Sequence, residues 1–214
     1  MNPTVRRFPW TVGIGLLLLV LLASFALVFA KAERHNSLPV YGQVAEFSLT
    51  NQDSATVSLA NLRGNVWIAD IIFTRCPGPC LRMTRQMKEL QDALPKKAQT
   101  KLISLTTDPD YDTPAILKTY AERAGSNLSR WTFLTGTKLQ IAGLATGSLK
   151  LSAVEKKLDE RATPEDLWVH STIFVIVDKH AQLRGVYQTG GEDVDWTVEK
   201  QKILAAASEL EREP

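Results

Sequence analysis

The sequence predicts an α/β protein in which parallel strands form the centre of the sheet. Two strongly apolar runs, residues 66–73 and 102–105, are each followed by a segment with helical periodicity, as in β-α-β units. A hairpin pattern at 173–187 then adds antiparallel strands, and a last helix follows. This order of elements fits a thioredoxin-like three-layer α/β sandwich with an N-terminal β-hairpin and one insertion.

The first half of this domain has clear local signals. Phe47, Leu49, Val57 and Leu59 alternate, or nearly so, around a turn-prone stretch at 51–54, which predicts the N-terminal hairpin. The run 66–73 is almost continuously apolar, as expected of a central strand that is covered on both faces. The helix that follows is indicated by apolar residues at helical spacing and by a proline at its end: Met83, Met87, Leu90, Leu94 and Pro95.

The second half alternates strands with capped helices. Thr113 followed by Pro114 predicts the start of a helix, because a threonine cap and a first-turn proline both favour that position. Asp195 is the predicted cap of the last helix, at 196–210. The remaining predictions are a strand at 131–134, a short helix from Thr137 to about 145, a polar surface insertion at 146–166, and hairpin strands at 173–177 and 183–187.

The N-terminus predicts a single membrane anchor. Residues 11–30 carry no charge, and about 20 such residues can span a bilayer. Arg6 and Arg7 favour a cytoplasmic position for residues 1–10. A cleavable signal peptide is the alternative, since residues 28–30 resemble a cleavage site, but the apolar run exceeds the usual core of about 7–15 residues. We therefore expect a transmembrane helix at 11–30, a tether at 31–40, and a domain at 41–214 on the extracytoplasmic (periplasmic) side.

The charge balance argues against a polyanionic partner. The chain has 25 Lys and Arg and 23 Asp and Glu, and removing Arg6 and Arg7 leaves 23 of each sign in the exported part. A formally neutral exported domain is not expected to bind nucleic acid.

Cys76 and Cys80 are the only cysteines, and they flank Pro77-Gly78-Pro79 at the predicted strand-to-helix turn. Pro79 suits the first helical position, which places Cys80 in the first turn. Unpaired backbone N–H groups and the helix dipole favour a thiolate there. Three arginines nearby add positive charge that also lowers thiol pKa: Arg75, Arg82 and Arg85.

Three chemistries are open to this pair: a structural disulfide, a reversible dithiol, or a site for a soft metal. Closing a five-residue loop restricts the unfolded chain by only about 2 kcal/mol in the entropic model, which disfavours a purely structural role. The three-residue spacer also departs from the Cys-x-x-Cys of redox motifs and leaves room for an ion between two sulfurs.

A metal site needs at least one further ligand, and the chain has three histidines. His35 lies in the tether and His180 in a hairpin turn, where both are expected to be solvated. His170 directly precedes an apolar strand, and strand-end loops of a parallel-centred sheet collect at the edge that carries the cysteine turn. Two sulfurs and an imidazole suit Cu(I) or Cu(II), although zinc accepts the same donors.

Four segments, taken together, resemble the Sco/SenC family: residues 73–80, 107–114, 134–136 and 170–171, in that order within about 44–187. The resemblance implies a membrane-anchored thioredoxin fold that binds copper through Cys76, Cys80 and His170. It also implies a role in assembling the copper centre of cytochrome c oxidase, with some members acting as thiol-disulfide reductants. The chain departs from the family pattern at three positions, where it has Leu81, Tyr111 and Val169 in place of a frequent Pro, Arg and Asp.

Two functional hypotheses follow. The first is a copper metallochaperone that exchanges the ion with a cytochrome c oxidase subunit or another copper carrier and changes no covalent bond in a substrate. The second is a thiol-disulfide oxidoreductase, in which Cys76 and Cys80 cycle with a thiol reductant. Asp108 and Asp112 are interpreted as turn and cap residues rather than as groups at the metal.

Overall fold

The computed structural model describes residues 10–35, 38–76, 78–161 and 168–214, without the side chains of 11, 12, 26–35 and 168–170. The chain divides into two compact units, Met1–Leu38 and Pro39–Pro214. In the first unit, helix α1 spans Trp10–His35. Among the helices in the described part, none is both long enough and apolar enough to cross a bilayer. The membrane span at 11–30 stays a prediction.

The second unit is a mixed α/β fold of the thioredoxin type. Its main sheet has eight strands in the order β1-β10-β9-β4-β5-β6-β2-β3. The strands are β1 Gly42–Gln43, β2 Ser48–Asn51, β3 Thr56–Ser58, β4 Trp67–Ile72, β5 Lys101–Thr106, β6 Trp131–Thr135, β7 Ala153–Glu155, β8 Trp168–His170, β9 Ile173–Val177 and β10 Gln182–Gln188. The helices are α2 Leu59–Leu62, α3 Pro79–Ala93, α4 Pro114–Arg123, α5 Lys138–Ala142 and α6 Trp196–Arg212, with a π-helix at Gly143–Ser148 and a 3₁₀ helix at Leu158–Glu160.

Strand direction determines which loops share an edge of the sheet. β4, β5 and β6 are parallel, as the sequence predicts. β9 runs antiparallel to β4, with Trp67 opposite Val177. The start of β9 at Ile173 therefore lies at the same edge as the end of β4, where the cysteines follow.

Alternation along the strands builds a core on each face of the sheet. Trp67, Ala69 and Ile71 of β4 belong to the apolar cluster that also contains Ile141 of α5 and Leu144 of the π-helix. On the opposite face, α3 and α6 contact the sheet, and the rings of Trp131 and Phe133 stack at 4.9 Å. The helices on both faces confirm the layered α/β interpretation.

The predicted hairpins and caps are largely present. β2 pairs with β3, and β9 pairs with β10. The Thr113 side chain accepts a hydrogen bond from Ile116 N, and that of Asp195 accepts from Thr197 N and Val198 N.

Three details differ from the sequence-based expectations. Leu59, assigned to a strand, begins the short helix α2, where its side chain is fully buried. The insertion is not wholly irregular, since β7 pairs with β8 in a second, two-stranded sheet. His170 consequently ends a strand of its own rather than lying in a loop before β9.

Candidate metal centre

The two cysteines lie where β4 turns into α3. Gly78 is the N-cap of α3 and Pro79 is its first residue, so Cys80 falls in the first turn as expected. Both cysteines are buried and are free thiols. The Cys80 backbone N–H donates to the Cys76 sulfur at 3.4 Å. The helix N-terminus therefore directs a donor at Cys76, which stabilises negative charge on that sulfur.

Cys80 itself does not behave as the sequence suggests. Burial raises the pKa of the Cys80 thiol well above its ordinary value, and a hydrogen bond to Cys76 and the nearby charges of Cys76 and Asp70 act in the same direction. A backbone hydrogen bond from Phe73 opposes these effects without cancelling them. The expectation of an activated Cys80 thiolate is wrong for the metal-free protein, because a residue only 1% exposed loses more solvation than the helix dipole returns.

A buried carboxylate lies on the face of β4 opposite Trp67, Ala69 and Ile71, the face that α3 contacts. Asp70 has no exposed surface, and its charge contributes to the raised pKa values of both Cys80 and Tyr120. The Tyr120 hydroxyl hydrogen-bonds the Thr84 hydroxyl at 2.7 Å, which joins α4 to α3 next to the thiols. The site thus has a buried acidic neighbour that is not part of the predicted ligand set.

Asp112 holds the cysteine turn against the rest of the sheet edge. Its fully buried carboxylate accepts hydrogen bonds from the Thr74 backbone N–H at 3.1 Å and from the hydroxyls of Thr74 and Thr106. Burial raises the pKa of Asp112 despite these donors. Because Thr74 lies two residues before Cys76, Asp112 determines where that turn begins.

Asp108 makes a second connection to the same turn. Its carboxylate pairs with the Arg75 guanidinium at 2.6 Å, and that guanidinium lies 4.0 Å from the centre of the Tyr111 ring. Asp108 also closes its own turn, since its carbonyl accepts from Asp112 N at 2.8 Å. Both aspartates do lie in the predicted turn, but neither caps α4, because Thr113 is the N-cap. Their carboxylates instead reach across to the residues before Cys76.

The third predicted ligand is placed only by its backbone. His170 pairs with Ala153, and the adjacent Ser171 N donates to Ser152 O at 2.8 Å. β9 begins three residues later at the cysteine edge of the sheet, so the chain carries His170 to that edge. Its ring lies outside the described side chains, and its role as a ligand stays a prediction.

The other histidines are elsewhere in the described structure. His35 ends α1 in the first unit. The ring of His180 hydrogen-bonds the Pro214 carbonyl at 3.0 Å, beyond the opposite end of β9. Among the side chains that the structure describes, no cluster joins three His, Cys, Asp or Glu residues in a possible metal site.

Sequence reasoning did not identify Asp70 as part of the site. The signal was available, because Asp70 is the one charged residue in an otherwise apolar strand, and a fully buried carboxylate usually has a specific reason for its position. The contacts of Asp112 with Thr74 and Thr106 had no such signal, since they join three separate segments of the chain.

The donor chemistry fits a soft cation. Two sulfurs in hydrogen-bonding contact at one turn form a compact soft donor pair, and burial would shield a bound ion from water. Two thiols in contact at one turn can also form a disulfide.

The fold and this pair define a class: thioredoxin-type α/β proteins with a dithiol at the strand-to-helix turn. Residues 39–205 match the family model described as SCO1/SenC. The SCO1 protein homolog of Bacillus subtilis (strain 168) is 35% identical over 162 residues, which cover 73% of this chain and 81% of the relative. The chain belongs to the SCO1/SenC family.

Two further comparisons agree. A protein of Stutzerimonas stutzeri that bears a copper-binding name is 31% identical over 154 residues, covering 69% of this chain and 70% of that protein. The structure of BsSco, a member of the Sco family of cytochrome c oxidase assembly proteins in which a disulfide switch has been identified, has a TM-score of 0.63 and 28% identity. That match covers 82% of this chain and 99% of BsSco.

Proposed function

We propose that this protein is a copper metallochaperone that matures the copper centre of cytochrome c oxidase. Copper is the cargo, held by the sulfurs of Cys76 and Cys80 and by the imidazole of His170. The observation that carries the proposal is the pair of buried, adjacent thiols, with the Cys80 amide directed at the Cys76 sulfur. Thiolates favour Cu(I), and imidazole accommodates Cu(II), so this donor set suits both oxidation states.

The partners are a cytochrome c oxidase subunit or another copper carrier. Transfer proceeds by exchange of the protein's donors for those of the partner, and no covalent bond of a substrate changes. The predicted anchor at residues 11–30 would keep the domain at the extracytoplasmic membrane face, beside a membrane-embedded oxidase. The family relationship and the oxidase-assembly role of BsSco support this assignment.

Copper titration of the full-length chain tests the ligand set. The reduced protein should bind one copper ion tightly under anaerobic conditions, and Cys76→Ala, Cys80→Ala and His170→Ala should each abolish tight binding. His180→Ala is the matched control, because His180 contacts only the far end of the domain, and it should bind copper like the wild type. Stoichiometric copper in the Cys80→Ala protein would rule the model out, and a preference for zinc would exclude copper as the cargo.

The second candidate function is thiol-disulfide exchange, in which Cys76 and Cys80 cycle with an external thiol reductant. It is favoured by the hydrogen-bonding contact of the two thiols and by the disulfide switch of BsSco. A redox titration discriminates, since a potential well above about −300 mV marks an exchangeable pair. If His170→Ala retained full biological activity while either cysteine variant lost it, the redox function would replace the copper function.

A further inference from the structure

The surface around the cysteine turn carries exposed apolar and cationic side chains. Leu81, directly after Cys80, is 49% exposed, and Tyr111 is 42% exposed. Arg75, directly before Cys76, stacks on Tyr111, and Arg85 lies one turn after Leu81 on α3. We call these four residues the rim patch. Leu81 lies in the first turn of α3, and Tyr111 lies in the β5–α4 loop, where it contacts Arg75. Tyrosine and arginine are enriched where the binding energy of protein interfaces concentrates.

The Arg75 guanidinium is oriented by two neighbouring side chains and remains partly exposed. Asp108 pairs with one nitrogen of its guanidinium, and the Tyr111 ring supports one face of the group. The Arg75 side chain nevertheless remains 37% exposed. A guanidinium has five N–H donors in a fixed plane, so an oriented and partly exposed one loses little conformational freedom when it binds a carboxylate.

The neighbours of α3 show which of its exposed residues are available. On one flank, Gln86 donates to Thr189 O at 2.9 Å, and the Arg82 guanidinium packs against Gly190. The exposed Glu192 and Asp193 follow Gly190 in the chain, so this flank carries acidic as well as basic side chains.

The opposite flank of α3 faces α4 through the contact between Thr84 and Tyr120. Leu81 and Arg85, at positions i and i+4, lie on the exposed strip between the two flanks. Arg85 forms no ion pair with any residue in the described part of the chain, so its charge is available to a partner.

We infer that the rim patch is the docking surface for a protein partner that presents an apolar side chain flanked by carboxylates. The apolar group would pack between Leu81 and Tyr111, and the carboxylates would meet Arg75 and Arg85. Charge complementarity of this kind orients an encounter and rejects partners of the wrong sign. This inference rests on the proposed function, since the same surface surrounds the thiols that would give up copper.

Peptide titration of the ¹⁵N-labelled full-length chain in non-ionic detergent tests the patch without thiols or metal. Three probe peptides share a Leu-Leu core and carry two Glu, two Gln or two Lys residues on each side. The Glu peptide should shift the amide signals of Arg75, Leu81, Arg85 and Tyr111, with a dissociation constant at least about tenfold below that of the Lys peptide at low salt. The difference should shrink in 0.5 M salt, where the Debye length falls to about 4 Å.

Single substitutions test which residues of the rim patch contribute to peptide affinity. Arg85→Gln should weaken the Glu peptide at least about threefold and leave the Gln peptide unchanged, because it removes one exposed charge. Leu81→Ala should weaken the Glu and Gln peptides equally. Arg123→Gln, which removes an exposed arginine at the end of α4, and Val198→Ala, which trims an exposed residue of α6, are the matched controls and should change neither.

Equal affinities for the three peptides, shifts confined to other surfaces, or no shifts at all would each overturn the inference. So would an equal loss of affinity in Arg85→Gln and Arg123→Gln. Because the probes contain no copper donor, normal peptide binding by a chain that fails the copper titration would refute the proposed function and leave the docking surface standing.

Discussion

The two ends of the central sheet hold buried carboxylates with different partners. At the cysteine end, Asp112 is bound by hydroxyls and one backbone amide. At the far end, Asp178 follows β9 and pairs with the buried Arg184 guanidinium at 2.7 Å. Arg184 also pairs with Glu213, directly after α6, which closes the C-terminal helix onto the sheet.

The two networks therefore have different roles: the one at the cysteine end positions the cysteine turn, and the one at the far end closes the C-terminal helix onto the sheet. In the far-end network one guanidinium pairs with two carboxylates, so each charged group has a partner inside the network and little chemistry is left for a ligand. At the cysteine end, the Asp112 carboxylate accepts hydrogen bonds from neutral donors, and the two buried sulfurs lie nearby at the turn that these bonds position. We therefore expect far-end changes to affect stability alone and cysteine-end changes to affect stability and ligand binding together.

The largest effect is expected from Arg184→Met at the far end. The substitution leaves the Asp178 carboxylate, only 2% exposed, with two backbone donors and no cation. Removing one partner of a buried pair costs about 3–5 kcal/mol, so the free energy of unfolding in urea should fall by that amount. Copper stoichiometry should not change.

The double variant Arg184→Met with Asp178→Asn is the control. It removes the orphaned charge and keeps an oxygen for the backbone N–H groups of His180 and Gln182, so it should recover much of the lost stability. A loss below about 1 kcal/mol for Arg184→Met would show that this network does not hold the far end together.

The next largest effect is expected from Asp112→Ala at the cysteine end. It leaves the Thr74 amide and the Thr106 hydroxyl without their acceptor, at a cost of about 2–3 kcal/mol in the free energy of unfolding. Copper affinity should also fall, because the residues before Cys76 lose their attachment to the β5–α4 loop. Asp110→Ala removes an exposed carboxylate of the same loop and should alter neither quantity.

The pH dependence of Asp112 provides an internal check. Burial raises its pKa above the ordinary value of 3.8, so the folded protein takes up this proton at a higher pH than the unfolded chain. The contribution of Asp112 to stability therefore falls as pH rises from 3.8 through the raised value. Urea unfolding should show the wild type gaining stability relative to Asp112→Asn as pH is lowered through this window, and the opposite trend would contradict the burial argument.

The same comparison shows what the sequence could predict. The parallel strands, the position of Pro79 and the caps at Thr113 and Asp195 follow from local periodicity and backbone preference, and the structure confirms them. The contacts of Asp112 and the raised pKa of Cys80 depend on tertiary burial, which local pattern does not encode. The two sulfurs of the candidate site could therefore be predicted from local pattern, whereas the side chains that position the turn and keep Cys80 protonated could not.

A smaller effect is expected on thiol reactivity. Burial raises the pKa of Cys80, so little of its reactive thiolate exists at pH 8 in the metal-free protein. Alkylation by iodoacetamide, followed by mass spectrometry, should modify Cys80 at least about tenfold more slowly in the folded chain than in urea. Equal rates would show that the turn opens readily and that Cys80 is not held in its buried position.

The smallest effect is expected from Glu89→Gln, between the two ends of the sheet. The Glu89 carboxylate accepts from Lys200 Nζ at 2.8 Å and from Trp196 Nε1 at 3.0 Å, and these contacts lower its pKa, that with Lys200 most strongly. Because the Glu89 side chain is 46% exposed, solvent screens the pair, and the loss in the free energy of unfolding at pH 7 should stay below about 1 kcal/mol in urea.

The pH dependence of Glu89 should be the reverse of that of Asp112. The lowered pKa of Glu89 stabilises the fold above the ordinary value of 4.5, and this stabilisation is lost as pH falls through the lowered value. If both variants showed the same sign of pH dependence, burial would not be what distinguishes the carboxylate beside the cysteines from the exposed one on the flank of α3.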